Sequence, residues 1–220
     1  MIKPYYETSL GKLYHGSCED ILPELEQVDL VVTDPPYNAK KDYGKFKDDL
    51  PGPEYEKWMT NCFNLSSKIA ENQAWIAPRY KMNFFTSLMP KAHMIVVRRG
   101  ARGPFRQGWS DQFETILTIG TPNKCDVDLW DDIRLKGEGY YFRENTFGHP
   151  GYTPQPIMFR LVYLLSKESV CDIFMGTGTT AIACERLNRK WIGIEISEEY
   201  CEIAAKRIES EASQLKLFAV

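Results

Sequence analysis

Asp34-Pro35-Pro36-Tyr37 follows directly on an apolar run, Val28 to Thr33. A turn of this composition at a strand end presents one carboxylate, one carbonyl and one aromatic face to a flat base that carries an exocyclic amino group. Such an amino group is a poor nucleophile, because its lone pair is delocalised into the ring. Hydrogen bonds from it to Asp34 and to the carbonyl of Pro35 favour a tetrahedral nitrogen with a localised lone pair. Two successive prolines stiffen the turn and remove two backbone donors that would compete for these acceptors. Tyr37 supplies a face for stacking, which offsets part of what it costs to extrude a base from a duplex. Taken alone, the tetrapeptide also suits an ordinary strand-terminating turn, since Asp and Pro are common there.

A second constellation lies far along the chain. Gly176-x-Gly178-x-x-Ala181 fits the G-x-G-x-x-G/A pattern, with a predicted strand before it, a predicted helix after it, and Glu195 about 20 residues on at the end of the next strand. Glycines let a backbone approach a ligand closely, and a carboxylate at the second strand end can accept both hydroxyls of a ribose. The constellation therefore predicts an adenosine cofactor. NAD would require further strands beyond Glu195, and too few residues remain there to build them.

With Phe174 preceding the glycines, the two constellations resemble the beta class of amino-methyltransferases. Those enzymes transfer a methyl group from S-adenosylmethionine to adenine N6 or cytosine N4 in DNA. D-P-P-Y first and F-x-G-x-G last is that class's permuted motif order. The resemblance implies S-adenosylmethionine as cofactor and Asp34, Pro35, Pro36 and Tyr37 as the catalytic set. It places Glu195 at the ribose and the turn formed by Phe174, Met175, Gly176, Thr177, Gly178, Thr179 and Thr180 around the methionine part. Thr153 and Gln155 would lie over the cofactor from the other side, with Ser17, Cys18, Asp172 and Ile196 completing the set. Gln155 stands where relatives usually carry Lys, Ile173 where they carry Pro, and Ser17 where an aspartate receives the cofactor's adenine amino group. D-P-P-Y is more typical of adenine enzymes, so adenine-N6 transfer in DNA is expected. The alternatives are cytosine-N4 transfer, RNA adenine methylation, and a non-catalytic DNA- or partner-binding subunit of the same fold. DNA is the expected partner, with a restriction endonuclease as the further partner class that restriction-modification implies.

Periodicity predicts the elements that must position these residues: strands at Lys12 to His15, Val28 to Thr33, Ala74 to Ala77, His93 to Arg98, Phe113 to Ile119, Val170 to Phe174 and Lys190 to Glu195. Helical patterns cover Glu54 to Ala70, Pro156 to Leu165, Thr179 to Leu187 and Ser197 to Glu209. This alternation argues for a doubly wound α/β sheet. The resemblance adds a Rossmann-like, mostly parallel sheet of seven strands with one antiparallel strand, Phe113 to Ile119, in which the two C-terminal strands lie beside the N-terminal ones. It also implies a single methyltransferase domain over 1–220. A separate target-recognition domain would have to fit between Thr121 and Gly148, which is too short for an independent fold. Recognition then falls to loops or to a second subunit, or is weak, and a homodimer is expected.

The formal net charge of −3 hides a strong asymmetry. From Asn72 to Ser110 there is no acidic residue, while Arg79, Lys81, Lys91, Arg98, Arg99, Arg102 and Arg106 are all basic. Such a stretch suits a phosphate-contacting edge whose attraction is local and salt-sensitive. Within it, Arg98, Arg99, Arg102 and Arg106 are interleaved with glycines and aromatics, as phosphate and base contacts require. Lys40, a further expected DNA contact, belongs to a loop after D-P-P-Y, Asn38 to Pro53, that is expected to be mobile. Six cysteines without a C-x-x-C pair and three histidines predict reduced thiols and no metal site, in a cytoplasmic protein. No stretch approaches the roughly 18 apolar residues of a membrane span, and the N-terminus lacks an apolar leader segment.

Overall fold

The computed structural model describes residues 2–43, 46–98, 113–124, 126–131 and 154–218, with the backbone alone at 42, 43, 46, 47 and 215–218. One sheet organises them. Its strands are β1 (Tyr6–Glu7), β2 (Gly11–His15), β3 (Leu30–Thr33), β6 (Asn72–Ala77), β7 (His93–Arg98), β8 (Phe113–Ile119), β9 (Leu129–Trp130), β10 (Ser169–Asp172) and β11 (Lys190–Glu195). Strands β4 (Asp42–Tyr43) and β5 (Phe46–Lys47) form a separate antiparallel pair. The helices are α1 (Cys18–Ile21), α2 (Gly52–Ile69), α3 (Met82–Leu88), α4 (Gln155–Leu165), α5 (Thr179–Leu187) and α6 (Glu198–Phe218).

The order across the sheet is β1-β2-β11-β10-β3-β6-β8-β7-β9. This corrects the expected seven strands with one antiparallel member. Among the described residues the sheet has nine strands, and three of its pairings are antiparallel: β1 with β2, and β8 with both β6 and β7. The two additions, β1 and β9, are each two residues long, too short for alternation to register in a sequence. Phe113 to Ile119 does run against its neighbours. The C-terminal strands fill the space between the first two long ones, with β11 parallel to β2 and β10 parallel to β3.

Alternate residues of the strands face two helical layers, as a pleat of period two dictates. Leu30, Val32, Ala74, Ile76, Val170 and Trp191 pack on α4, α5 and α6. Val31, Trp75, Ala77, Cys171, Ile173 and Ile194 pack on α1, α2 and α3. Both faces of the central parallel strands are thus covered, which explains why Leu30–Thr33 reads as a continuous apolar run.

The connection β10-α5-β11 steps across the sheet in one direction, and β3-α2-β6 steps in the other. Since parallel crossovers are right-handed, α5 and α2 must lie on opposite faces, as their core partners show. The boundary between β10 and β3 is therefore a topological switch point. A crevice forms outside the carboxyl ends of the two strands.

Candidate active site

Both constellations open from that crevice. Thr33, the last residue of β3, donates its hydroxyl to Asp172 Oδ1 at 2.8 Å. Asp172 ends β10 and accepts two more bonds, from the Thr180 hydroxyl at 2.5 Å and the Phe174 amide at 3.1 Å. Its carboxylate is buried, and burial pushes its pKa up to about 6 against the pull of these three donors. The resemblance assigns Asp172 to the cofactor set; its carboxylate is committed to struts inside the turn.

The turn after β10 needs left-handed backbone at two points. Gly176 has φ 54° and Gly178 φ 87°, conformations that a Cβ disfavours. A Cβ on Gly178 would also press Ala204 of α6 at 3.1 Å. The Gly176 amide donates to Glu195 Oε2 and the Ser197 amide to Glu195 Oε1, both at 2.8 Å. Burial, the largest influence, raises the Glu195 carboxyl to about 7; the Ser197 and Gly176 amides pull it back, and the nearby Asp172 charge adds to the rise. Thr177 is clamped from α6, where Arg207 donates to its hydroxyl at 2.8 Å and to its carbonyl. Met175, Thr179 and Thr180 are buried, while Phe174 is half-buried with its ring 5.6 Å from that of Trp58 on α2. Across from this turn, Ser17 caps α1 by accepting from the Asp20 amide and donates to Asp20 Oδ2 at 2.7 Å. Cys18 is buried with its Sγ 3.4 Å from that of Cys62. Ile196 is half-buried, and its carbonyl lies 3.2 Å from His15 Nε2. Gln155, at the start of α4, turns its Oε1 to Arg186 Nη1 at 3.4 Å.

On the β3 side the D-P-P-Y turn is braced from three directions. The Tyr37 hydroxyl meets both the Asp34 carboxylate and the Ile76 carbonyl of β6, the latter at 3.0 Å. Its ring stands edge-on to Phe85 at 6.4 Å and 81°. Buried Tyr55 of α2 donates to the Pro36 carbonyl at 3.0 Å. The Pro35 carbonyl has no hydrogen-bond partner among the described residues. Asp48, also buried, accepts from the amides of Asn38 (2.6 Å), Ala39 (2.8 Å) and Lys41 (3.2 Å). This nest holds Asn38 and Lys40 at φ 57° and 58°, left-handed backbone that asparagine tolerates and lysine rarely adopts. The segment expected as a mobile loop thus has a built base and the β4/β5 hairpin beyond it.

Tyr55, Asp48 and Trp58 belong to no motif in the sequence. The buried face of α2 is Tyr55, Met59, Cys62, Ser66 and Ile69; extending the apolar stripe one turn toward the N-terminus reaches Tyr55. Asp48 carries no such signal, because one carboxylate among lysines reads as a solvated charge. Of the expected DNA contacts, Lys40 and Arg98 are exposed; Arg98 ends β7, which runs parallel to β6 in sense and so opens on the same edge as Asp34. Arg99, Arg102, Arg106 and Thr153 lie outside the described residues.

Comparison with known proteins agrees with this layout. A family profile described as DNA methylase matches residues 106–206. Type II methyltransferase M2.DpnII of Streptococcus pneumoniae is 40% identical over 262 residues, covering 96% of this chain and 94% of its own. The chain belongs to the S-adenosylmethionine-dependent DNA amino-methyltransferases of the N6-adenine/N4-cytosine family. The fold agrees as well: the cytosine-N4-specific PvuII DNA methyltransferase superposes with a TM-score of 0.73 at 19% identity, over 97% of this chain and 95% of that one. The M1.HpyAVI complex with S-adenosylmethionine gives 0.69 at 18%, over 90% and 99%. This amino-methyltransferase transfers a methyl group from S-adenosylmethionine to an exocyclic amino group in DNA. The donor set fits that cofactor: left-handed glycines open the turn, and a strand-end carboxylate beside it retains lone pairs beyond its two amide bonds. No helix among the described residues is long and apolar enough to cross a membrane.

Proposed function

We propose that this chain is an adenine-N6 DNA methyltransferase in which one domain carries both cofactor and base sites, with no separate target-recognition domain. The observation that carries the reading is the D-P-P-Y turn at the switch point. Tyr55 engages the Pro36 carbonyl and leaves the Pro35 carbonyl, which with the Asp34 carboxylate, already braced by the Tyr37 hydroxyl, would receive the two hydrogens of an amino group. Asp34 and Pro35 orient that nitrogen, and the rigid turn keeps them from reorganising as charge develops. The base-site chemistry is positioning; the cofactor supplies the electrophilic methyl group. Glu195 would hold the ribose hydroxyls, the Phe174–Thr180 turn the methionine part, and Thr153 and Gln155 the opposite side. Lys40 and the arginines from Arg98 to Arg106 would follow the phosphates.

Digesting DNA methylated by the purified protein to nucleosides tests the base. N6-methyladenine is expected. N4-methylcytosine would overturn adenine in favour of the cytosine reading, and methylation of RNA in preference to duplex DNA would overturn DNA as the substrate.

A further inference from the structure

Tyr80 is the most exposed aromatic among the described residues, at 65%, and makes neither a ring contact nor a hydrogen bond there. A single exposed ring is ordinary on a protein surface, so what this one can do is decided by where it stands. Its position is informative. It sits in the 3-10 turn Arg79–Lys81 that follows β6, and β6 is the parallel neighbour of β3, with Thr33 opposite Trp75. The turn carrying Tyr80 and the D-P-P-Y turn therefore leave the same edge of the sheet from adjacent strands. They are joined there by the bond from the Tyr37 hydroxyl to the Ile76 carbonyl. The Tyr80 phenol is held above its usual pKa by partial desolvation and then by the negative charges of Asp48 and Asp34, as its nearness to both carboxylates requires. Tyr37 is placed differently. Half-buried, edge-on to Phe85 and tied at its hydroxyl, it closes the floor of the turn.

We propose that Tyr80 is a substrate-contacting residue whose ring stacks on the target base when that base is turned out of the duplex toward Asp34. Tyr37 and Tyr80, from adjacent strands, then form the two aromatic sides of the base site. The inference rests on the base site proposed above. An aromatic face serves because every base has a π-face, and stacking offsets the loss of neighbours in the duplex. Lysine or arginine at this position would bind phosphate instead.

The test uses the full chain, unmethylated genomic DNA and tritiated S-adenosylmethionine. Tyr80→Ala and Tyr80→Leu should lower kcat/KM for DNA about 10-fold or more, while Tyr80→Phe and Tyr80→Trp stay within about 3-fold of the parent. Calorimetric affinity for S-adenosylmethionine should be the same in all five proteins, and the salt slope of DNA binding should not change. Parent activity in Tyr80→Ala overturns the inference, as does a Tyr80→Leu variant equal to Tyr80→Phe. Loss of cofactor affinity would show a structural role, and a flattened salt slope would show a phosphate contact; either overturns it too. An inactive parent overturns the proposed function itself, whereas an active parent with an insensitive Tyr80 overturns this inference alone.

Discussion

The Thr33 hydroxyl donates to Asp172 at 2.8 Å, joining the residue before D-P-P-Y to the residue that opens the glycine turn. The turns proposed to hold base and cofactor are thereby tied to each other across the β3/β10 boundary by a buried bond. Thr33→Val should leave a buried carboxylate short of a donor and cost about 1–3 kcal/mol of stability, read as a lower melting temperature. Thr33→Ser should restore most of it. A Thr33→Val protein as stable as the parent would show that the other two donors suffice.

Asp34→Ala should abolish methyl transfer while leaving cofactor affinity near that of the parent, because the carboxylate belongs to the proposed base site and not to the glycine turn. Single-turnover methylation and calorimetry measure the two quantities. Substantial remaining turnover would remove Asp34 from the chemistry.

Glu195→Ala should weaken S-adenosylmethionine by about 1.5–3 kcal/mol, the range for hydrogen bonds to a charged acceptor. The pH dependence has a definite sign. With its pKa raised from 4.5 to about 7 in the fold, Glu195 favours the folded state fully below about pH 4.5 and loses that contribution as pH rises through about 7. In the proposed role ribose hydroxyls would donate to the ionised form, so cofactor affinity should rise with pH through about 7 and then level off. Glu195→Gln should flatten that rise; a steep rise in the variant would place the titrating group elsewhere.

Asp48→Ala should strip the acceptor from three amides, at a cost of about 1–3 kcal/mol, and release the backbone after Tyr37. Amide exchange at Asn38, Ala39 and Lys41 should accelerate, with turnover falling because the turn is no longer braced. Unchanged exchange there would mean that the hairpin alone holds the segment.

Replacing Arg99, Arg102 and Arg106 together should weaken DNA binding and flatten its salt dependence by up to about 0.9 log unit for each phosphate that the protein no longer neutralises. Binding titrations over a range of salt concentrations measure this. An unchanged slope would move the phosphate surface to Lys40 and its neighbours.

The long parallel strands are legible in the sequence because their burial on both faces leaves short apolar runs, as within Leu30–Thr33 and at Trp191 to Ile194 inside Lys190–Glu195. The two glycines and Glu195 are legible because spacing alone relates them. Beyond reach are features made by distant pairings. Tyr55 acts through a carbonyl 19 residues away, and Asp48 through amides that precede it. The roles of Asp172 and Thr33 depend on a contact 139 residues long, which no local pattern encodes. Edge strands of two residues carry too little alternation to stand out, which is why the sheet is wider than periodicity implies.

The insertion of β11 and β10 between β2 and β3 has a consequence for synthesis. A ribosome would complete the first eight-tenths of the chain, roughly, before any partner for the inner edges of β2 and β3 exists, and contacts of such high order form slowly. A nascent chain halted before Ser169 would display two unpaired strand edges, open to pairing with another chain. Aggregation of translation products truncated in that interval, rather than of the finished protein, is where this topology is most vulnerable.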